Sequence, residues 1–376
     1  MFARIYLFAI FLTLLSCSSK EVKNNTNDST ENLGNFYAKN FSIQKSGELT
    51  LLTINEVSKG SNEKYIYVLY PRDKPAPKGF GKAKLIPVPV EKVICTGTAQ
   101  IAMMDMLGLK DKITAVADAK YVYCSEINKK IKAKQIAEIG NDNGINFEKA
   151  LAVSPDLIFT FSYGKNTTQK KFEELGLNTV MISEFMEDSP LGRAEWMVFM
   201  AYFFQKEGDA IEKFKEISTA YNKLKSKIPL NKKTPTVMTG VAQEGTWYQA
   251  GGKSFTAKFI EDAGAKYLWA ENEERGGIPL SFESVLQRAE NADYWLNVVL
   301  AKDKTQLMNI DSRYKAFRAY KNGNIYSYTA RISENGGYDF YESAIVRPDV
   351  VLADLIKIFY PDILSEHELF YYQKIN

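Results

Sequence analysis

Chemistry at neutral pH draws first on histidine, cysteine and clustered carboxylates, and this chain is sparing with the first two. Its single histidine, His367, falls in a polar stretch beyond the last apolar helical run and reads as a solvated side chain. A Ser-His-Asp arrangement would have only that one residue to use. The three cysteines, Cys17, Cys95 and Cys124, lack redox or zinc spacing. Cys95 and Cys124 are open to two readings, a disulfide in an oxidising compartment or two small buried residues. The chain has no Walker loop and no dinucleotide glycine pattern. Zinc and copper favour His and Cys ligands, so this composition is poorly suited to capturing a bare metal ion.

The carboxylates are more informative. Asn146-Phe147-Glu148-Lys149-Ala150-Leu151 returns 135 residues later as Ser281-Phe282-Glu283-Ser284-Val285-Leu286. Thr96-Gly97-Thr98-Ala99-Gln100 returns in the same order as Thr239-Gly240-Val241-Ala242-Gln243. Two matches in order predict one structural unit built twice, with a ligand cleft between the copies. Asn146 and Ser281 are suitable N-caps. They place Glu148 and Glu283 in the first helical turn, where a carboxylate favours the helix dipole by about 0.3–1 kcal/mol.

Open α/β sheets bind ligands beyond the carboxyl ends of their strands. Here those ends present Thr96, Gly97, Thr98, Tyr121, Tyr123, Ser162 and Tyr163 from the first half. The second half presents Trp247, Tyr248, Arg275, Arg331 and the stretch from Gly336 through Tyr338 to Tyr341. Aromatic faces suit flat or greasy ligands, and arginine forks suit anionic oxygens. Trp247 and Arg331 lead the set. Arg275, between Glu274 and Gly276, also reads as a solvated charge.

The elements that must position these residues follow a simple order. With 376 residues the chain exceeds one ordinary core, and its 45% hydrophobic and 25% charged residues are those of a globular protein. A net charge of +3 gives no nucleic-acid footprint. Arg4 and the apolar run Ile5 to Leu15 form a signal-peptide core, too short to span a bilayer, which takes roughly 20 residues. Leu14-Leu15-Ser16-Cys17 then reads as a lipobox, with Cys17 acylated. The alternative is an ordinary secretory signal. Residues 17–35 are polar and read as a flexible tether.

Residues 36–84 are expected to form a β extension and linker. Strands alternating with helices predict an N-terminal lobe at 85–189 with a parallel sheet covered on both faces. Apolar residues at near-helical spacing from Trp196 to Ile228 predict one helix of about 37 residues over 190–228, roughly 55 Å long, with Gly208 as a point where it can bend. A second such lobe and a tail fill 229–376. The expected class is α/β, two βα sandwich lobes joined by one long interdomain helix, with a small N-terminal β extension.

These features resemble the substrate-binding proteins of ABC importers for ferric siderophores, haem and cobalamin, over roughly Leu85 to Pro361. The carriers are Val93 to Gly108, Asn146-Phe147-Glu148 leading into Ser154-Pro155-Asp156, Trp247 to Gly252, Asp262-Ala263-Gly264, Ser281-Phe282-Glu283 and Arg347-Pro348-Asp349. The resemblance implies a lipid-anchored, extracytoplasmic binding protein, not an enzyme, working as a monomer without a resident cofactor. Its cargo would be a metal chelate, foremost a ferric siderophore, with haem or cobalamin as alternatives. Its partner would be an ABC permease dimer with its ATPase, gripping Glu148 and Glu283 with arginine pockets. A surface lipoprotein of structural role and a chelatase-like enzyme are the readings from other classes.

Overall fold

The computed structural model describes residues 31–33, 36–56, 64–141, 144–161, 167–229, 231–299 and 301–376. The expected signal peptide, Cys17, Ser162 and Tyr163 lie outside these residues. The chain first forms a five-stranded sheet of β1 (Glu31–Leu33), β2 (Phe41–Ser46), β3 (Leu49–Ile54), β4 (Tyr65–Pro71) and β5 (Lys84–Val88). β1 to β4 are an antiparallel meander, and β5 lies parallel to β4. Alternate residues Phe41, Ile43, Leu52, Ile54, Tyr67 and Leu69 are buried on the face packed against the N-terminal core.

Two boundaries differ from expectation. Residues 31–33, expected in the tether, pair with β2 from Glu31 opposite Lys45 to Leu33 opposite Ile43. Lys84–Val88, where the first lobe was expected to open, instead closes the extension sheet. Ladder hydrogen bonds to β4 take up its backbone groups, a pairing that hydrophobic pattern does not reveal.

The N-terminal lobe follows with β6 (Val93–Cys95), α1 (Thr98–Met106), β7 (Ile113–Ala117), α2 (Ser125–Lys132), β8 (Ala137–Asn141), β9 (Gly144–Ile145), α3 (Phe147–Val153), β10 (Leu157–Thr160), α4 (Thr167–Glu174) and β11 (Thr179–Met181). The strand order is β11-β10-β6-β7-β8-β9, parallel except for β9. Val93 and Cys95 face one buried cluster while Ile94 faces another, so the sheet has a core on each side. Strand β8 has no apolar run, Ala-Glu-Ile-Gly-Asn, and went unread in the sequence.

The expected 37-residue helix is corrected by the structure. α5 (Pro190–Ala201) ends in a short 3-10 turn at Tyr202–Phe204, and α6 (Glu207–Lys225) begins afresh. Gln205 sits at φ 54°, and Lys206 N–H bonds back to the Ala201 carbonyl, which terminates α5. Every residue of α5 is buried, and its two charged side chains, Arg193 and Glu195, are each paired or hydrogen-bonded. The connection to the second lobe is therefore α6, 19 residues or about 28 Å. The apolar spacing continues through the break because α5 is buried on every side and α6 buries a stripe, so periodicity alone could not show where the backbone turns.

The C-terminal lobe comprises β12 (Thr236–Thr239), β13 (Ala242–Gln243), β14 (Thr246–Ala250), α7 (Phe255–Asp262), β15 (Lys266–Tyr267), β16 (Gly277–Leu280), α8 (Phe282–Ala289), β17 (Tyr294–Leu296), α9 (Lys304–Ile310), α10 (Arg318–Asn322), β18 (Tyr326–Ser327), α11 (Pro348–Phe359) and β19 (Gln373–Lys374). β12 lies between β15 and β17, all parallel, and β13-β14-β16 form an antiparallel sheet. α6 enters this lobe through Tyr221 and Lys225, which both bond the Asp262 carboxylate at 2.9 and 2.6 Å. The tail is not a solvated strand of chain. The fully buried Asp354 accepts His367 Nε2 at 2.6 Å and the N–H groups of Phe370, Tyr371 and Tyr372. His367 is thus a structural partner rather than a free surface side chain. Both remaining thiols, Cys95 and Cys124, are free. No helix among the described residues is long and apolar enough to cross a membrane.

Candidate functional site

The end of β12 builds one wall of an open recess. Gly240 follows the strand at φ 73°, and a β-carbon there would collide with the Tyr248 carbonyl, so only glycine lets β14 approach this closely. β14 then alternates by its pleat. Trp247 and Gln249 point inward and are fully buried, whereas Tyr248 points outward at 50% exposure. Tyr248, Gln243, Phe255, Thr256, Asn297, Tyr328, Phe340 and Tyr341 line the recess, with Gln249 in its wall. Asn297, at the end of β17, holds φ 62° and accepts the Tyr372 hydroxyl at 3.0 Å.

The seam with the other lobe runs along residues 331–343. Thr98 Oγ1 donates to the Tyr341 carbonyl at 2.8 Å. Ser333 Oγ donates to the Val122 carbonyl at 3.2 Å, and Asn335 Nδ2 to Asn128 at 3.1 Å. A β-carbon at Gly337 would collide with the Tyr121 carbonyl. The tightest tie is Glu342, 3% exposed, whose carboxylate accepts the N–H groups of Tyr123 and Cys124 at 2.7 and 2.9 Å, at the N-terminus of α2. Burial pushes its pKa up to about 7; those two N–H bonds oppose the rise, and Asp339 and Asp105 reinforce it.

Three arginines approach this region, and each closes on a carboxylate. Arg331 Nε meets Asp339 at 2.6 Å, with its guanidinium against the rings of Phe370 and Tyr123 at 4.1 and 5.2 Å. It lines a second recess, with Tyr123, Lys129 and Lys132. Arg275 Nε meets Asp188 at 2.7 Å and its Nη1 meets Glu56 of the extension at 3.4 Å. Arg193 of α5 lies beneath the Phe255 ring at 4.2 Å and pairs with Glu184 at 3.3 Å. Burial raises the Glu184 pKa, and Arg193 opposes the rise.

Of the residues expected at a cleft, the structure gathers Thr98, Tyr121, Tyr338 and Tyr248 along the seam and recess. Tyr338 stands edge-on to Tyr341 at 6.3 Å. Thr96 lies at its strand end with Oγ1 on the Phe159 carbonyl at 3.0 Å. Trp247 is corrected from cleft to core. Its Nε1 bonds the Thr239 carbonyl at 2.9 Å, and Trp295, Tyr314, Phe317 and Phe282 enclose it. Sequence reasoning missed Gln249, Phe255, Asn297, Tyr328 and Arg193. The Thr-Gly repeat marked the end of β12, and reading its strand neighbours would have led to Asn297. Arg193 carried no signal, since it sits inside an apolar helix.

The repeated phrases form what their caps imply. Asn146 Oδ1 accepts Lys149 N–H at 2.9 Å, and Ser281 Oγ accepts Ser284 N–H at 3.2 Å. Glu148 and Glu283 are both exposed. Glu283 meets Arg313 at 2.8 Å, a guanidinium that also lies over the Phe282 ring at 3.9 Å. Glu148 has no ion-pair partner among the described residues. Among those residues, too, no group of three or more His, Cys, Asp or Glu could hold a metal ion.

Comparison with known proteins adds a family. The family model described as periplasmic binding protein matches residues 93–332, beginning after the extension sheet. An uncharacterized lipoprotein of Methanocaldococcus jannaschii is 25% identical over 82% of this chain and 76% of its own. Among solved structures, a possible iron-binding periplasmic solute-binding protein of Staphylococcus epidermidis matches with TM-score 0.56 and 20% identity. The match covers 73% of this chain and 100% of that one. A periplasmic haem-binding protein of Vibrio cholerae matches with TM-score 0.56 and 19% identity, over 72% and 99%. At these identities the structural likeness is one of fold.

Proposed function

This chain belongs to the periplasmic binding protein family, and on that premise we propose that it captures a metal chelate at the aromatic seam between its lobes and hands it to an ABC permease. The family serves ABC importers of iron chelates, haem or vitamin B12; its members work outside the cytoplasm and bind solutes without turning them over. The observation that carries the proposal for this chain is the recess itself. Its lining comes from the C-terminal lobe, and one lining residue, Tyr341, accepts Thr98 Oγ1 of the other lobe at its carbonyl; Tyr248 and Tyr341 expose about half of their surface. Exposed rings beside an interlobe seam offer stacking area for a flat or greasy chelate.

In this reading Thr96, Tyr121, Tyr163, Arg275, Arg331 and Tyr338 are the further cleft candidates. Cys17 carries the lipid, and the tether lets the folded part stand off the membrane as a monomer. The presence of named lipoproteins among the relatives supports the anchor. Glu148 and Glu283 are the proposed docking points.

Calorimetric titration of the purified chain with ferric siderophores, haem and cobalamin tests the reading. At least one should bind at micromolar level or better. Tyr248→Ala and Tyr341→Ala should each weaken that binding about tenfold, or 1.4 kcal/mol, with unfolding midpoints close to the parent's. Failure of all three cargo classes to bind would remove the proposal.

A further inference from the structure

The loop between β15 and β16 reaches out of its own lobe. All three nitrogens of the Arg275 guanidinium meet carboxylates from distant parts of the chain. Nε and Nη2 approach Asp188 at 2.7 and 3.4 Å, and Nη1 approaches Glu56 at 3.4 Å. Both acids sit on anchored backbone. Asp188 follows Glu187, whose carboxylate accepts the Asn40 N–H at 3.0 Å. The Asn40 side chain in turn clamps the Glu56 backbone, accepting its N–H at 2.7 Å and donating to its carbonyl at 2.5 Å. Arg275 therefore joins the C-terminal lobe to the β extension and to the chain entering α5.

The other side of this loop packs on β14, the strand that carries Tyr248. Lys253 N–H donates to the Glu274 carbonyl at 3.0 Å, and Gly251 N–H to the Gly276 carbonyl at 2.7 Å. A β-carbon at Gly251 would collide with the Glu274 carbonyl, so the loop lies directly on the strand end. Two residues past Arg275, Gly277 opens β16 opposite Ala250. Gly277, Ala250 and Tyr248 all line the recess, and a β-carbon on Gly277 would touch the Tyr248 ring. β16 is the edge of its sheet, with β14 its one strand neighbour among the described residues. A tie at the start of β16 thus bears on where Tyr248 stands.

We propose that Arg275 is a positioning residue for the recess. By tying the start of β16 to Glu56 and Asp188, it fixes the β14–β16 ribbon and with it the Tyr248 ring offered to cargo. The β extension thereby acts on the binding site from outside it. This inference rests on the chelate reading above, and it makes Arg275 a residue that acts through Tyr248 rather than on the cargo itself.

A double-substitution cycle tests it. A ferric trihydroxamate, a ferric tricatecholate, haem and cyanocobalamin are titrated against the parent chain, and those that bind are carried through the variants. Arg275→Ala should weaken binding about fivefold, or 1 kcal/mol, the upper range for a partly exposed ion pair. In a Tyr248→Ala background the same substitution should change affinity by less than about twofold, because its route to the cargo is already gone. Glu56→Lys, which repels Arg275, should weaken binding about threefold. Additive losses in the cycle overturn the inference, as does unchanged affinity in Arg275→Ala. Tighter binding of an anionic chelate by Glu56→Lys overturns it too, since a guanidinium freed to meet the cargo would do that. Binding of no probe removes the chelate reading instead. Amide exchange then decides for Arg275. Arg275→Ala should speed exchange at 246–250 and 277–280 while β12 stays protected, and unchanged exchange at those positions ends the inference.

Discussion

Glu342 is a carboxylate of one lobe sealed against the backbone of the other, and its chemistry is set by that position. Burial outweighs the two N–H groups it accepts, so the folded chain holds its proton up to about pH 7, against 4.5 for the ordinary side chain. A raised acid pKa means that the folded state binds more protons than the unfolded state between those values. The stability from this site is therefore fullest below pH 4.5 and declines as pH rises through 7, by roughly 3 kcal/mol at 1.36 kcal/mol per unit. Chemical unfolding at pH 5, 6, 7 and 8 should show a falling stability that Glu342→Gln flattens. Parallel slopes in the two proteins would assign the titration elsewhere. Nothing in Tyr341-Glu342-Ser343 announces this role, because burial against Tyr123 and Cys124 depends on chain more than 200 residues away. The same limit explains Trp247 and Tyr248. Sequence placed both at a strand end, but which one faces the recess depended on the register of β14 against β16.

Among the elements, the segment entering the extension sheet has the most demanding anchorage. Glu195 of α5 accepts the N–H groups of Phe36, Tyr37 and Ala38 at 2.8, 2.8 and 2.7 Å. Glu187 accepts those of Lys39 and Asn40, and also Trp196 Nε1. Two buried carboxylates thus hold five successive backbone groups. Tyr37 packs against both lobes' cores, edge-on to Phe214 at 5.9 Å, with its hydroxyl accepting from Asn222 of α6 at 2.8 Å. Glu195→Ala leaves three N–H groups without their acceptor and should cost about 3 kcal/mol or more in denaturant unfolding, with Glu195→Gln milder. A change below about 0.5 kcal/mol would mean that the segment is not anchored there. Element type was largely legible, because β6, β7, β10 and β11 show the short apolar runs of buried strands. The break between α5 and α6 was not, because a left-handed turn at Gln205 has no glycine to mark it.

At the scale of the whole molecule, the lobes are joined by α6, by the seam at 331–343 and by Arg275 reaching Asp188 and Glu56. That many ties favour small motions on ligand capture. They also fix the separation of Glu148 and Glu283, one exposed carboxylate on each lobe, at matching helix starts. If those two residues are the docking points, Glu148→Ala with Glu283→Ala should abolish transporter-dependent uptake while chelate affinity stays at the parent value. Normal uptake by the double variant would end the docking assignment. The sequence by itself determined the doubled α/β plan, the capped helix starts and the strand-end address of the cleft, because apolar periodicity, cap chemistry and repeated phrases are local and survive in one dimension. The tertiary structure alone decided which residues face the recess, that Arg193, Arg275 and Arg331 near it each close on a carboxylate, and that Gln249 is buried in the wall with Trp247. Burial and pairing are properties of packed surfaces, and those surfaces form only when distant segments meet.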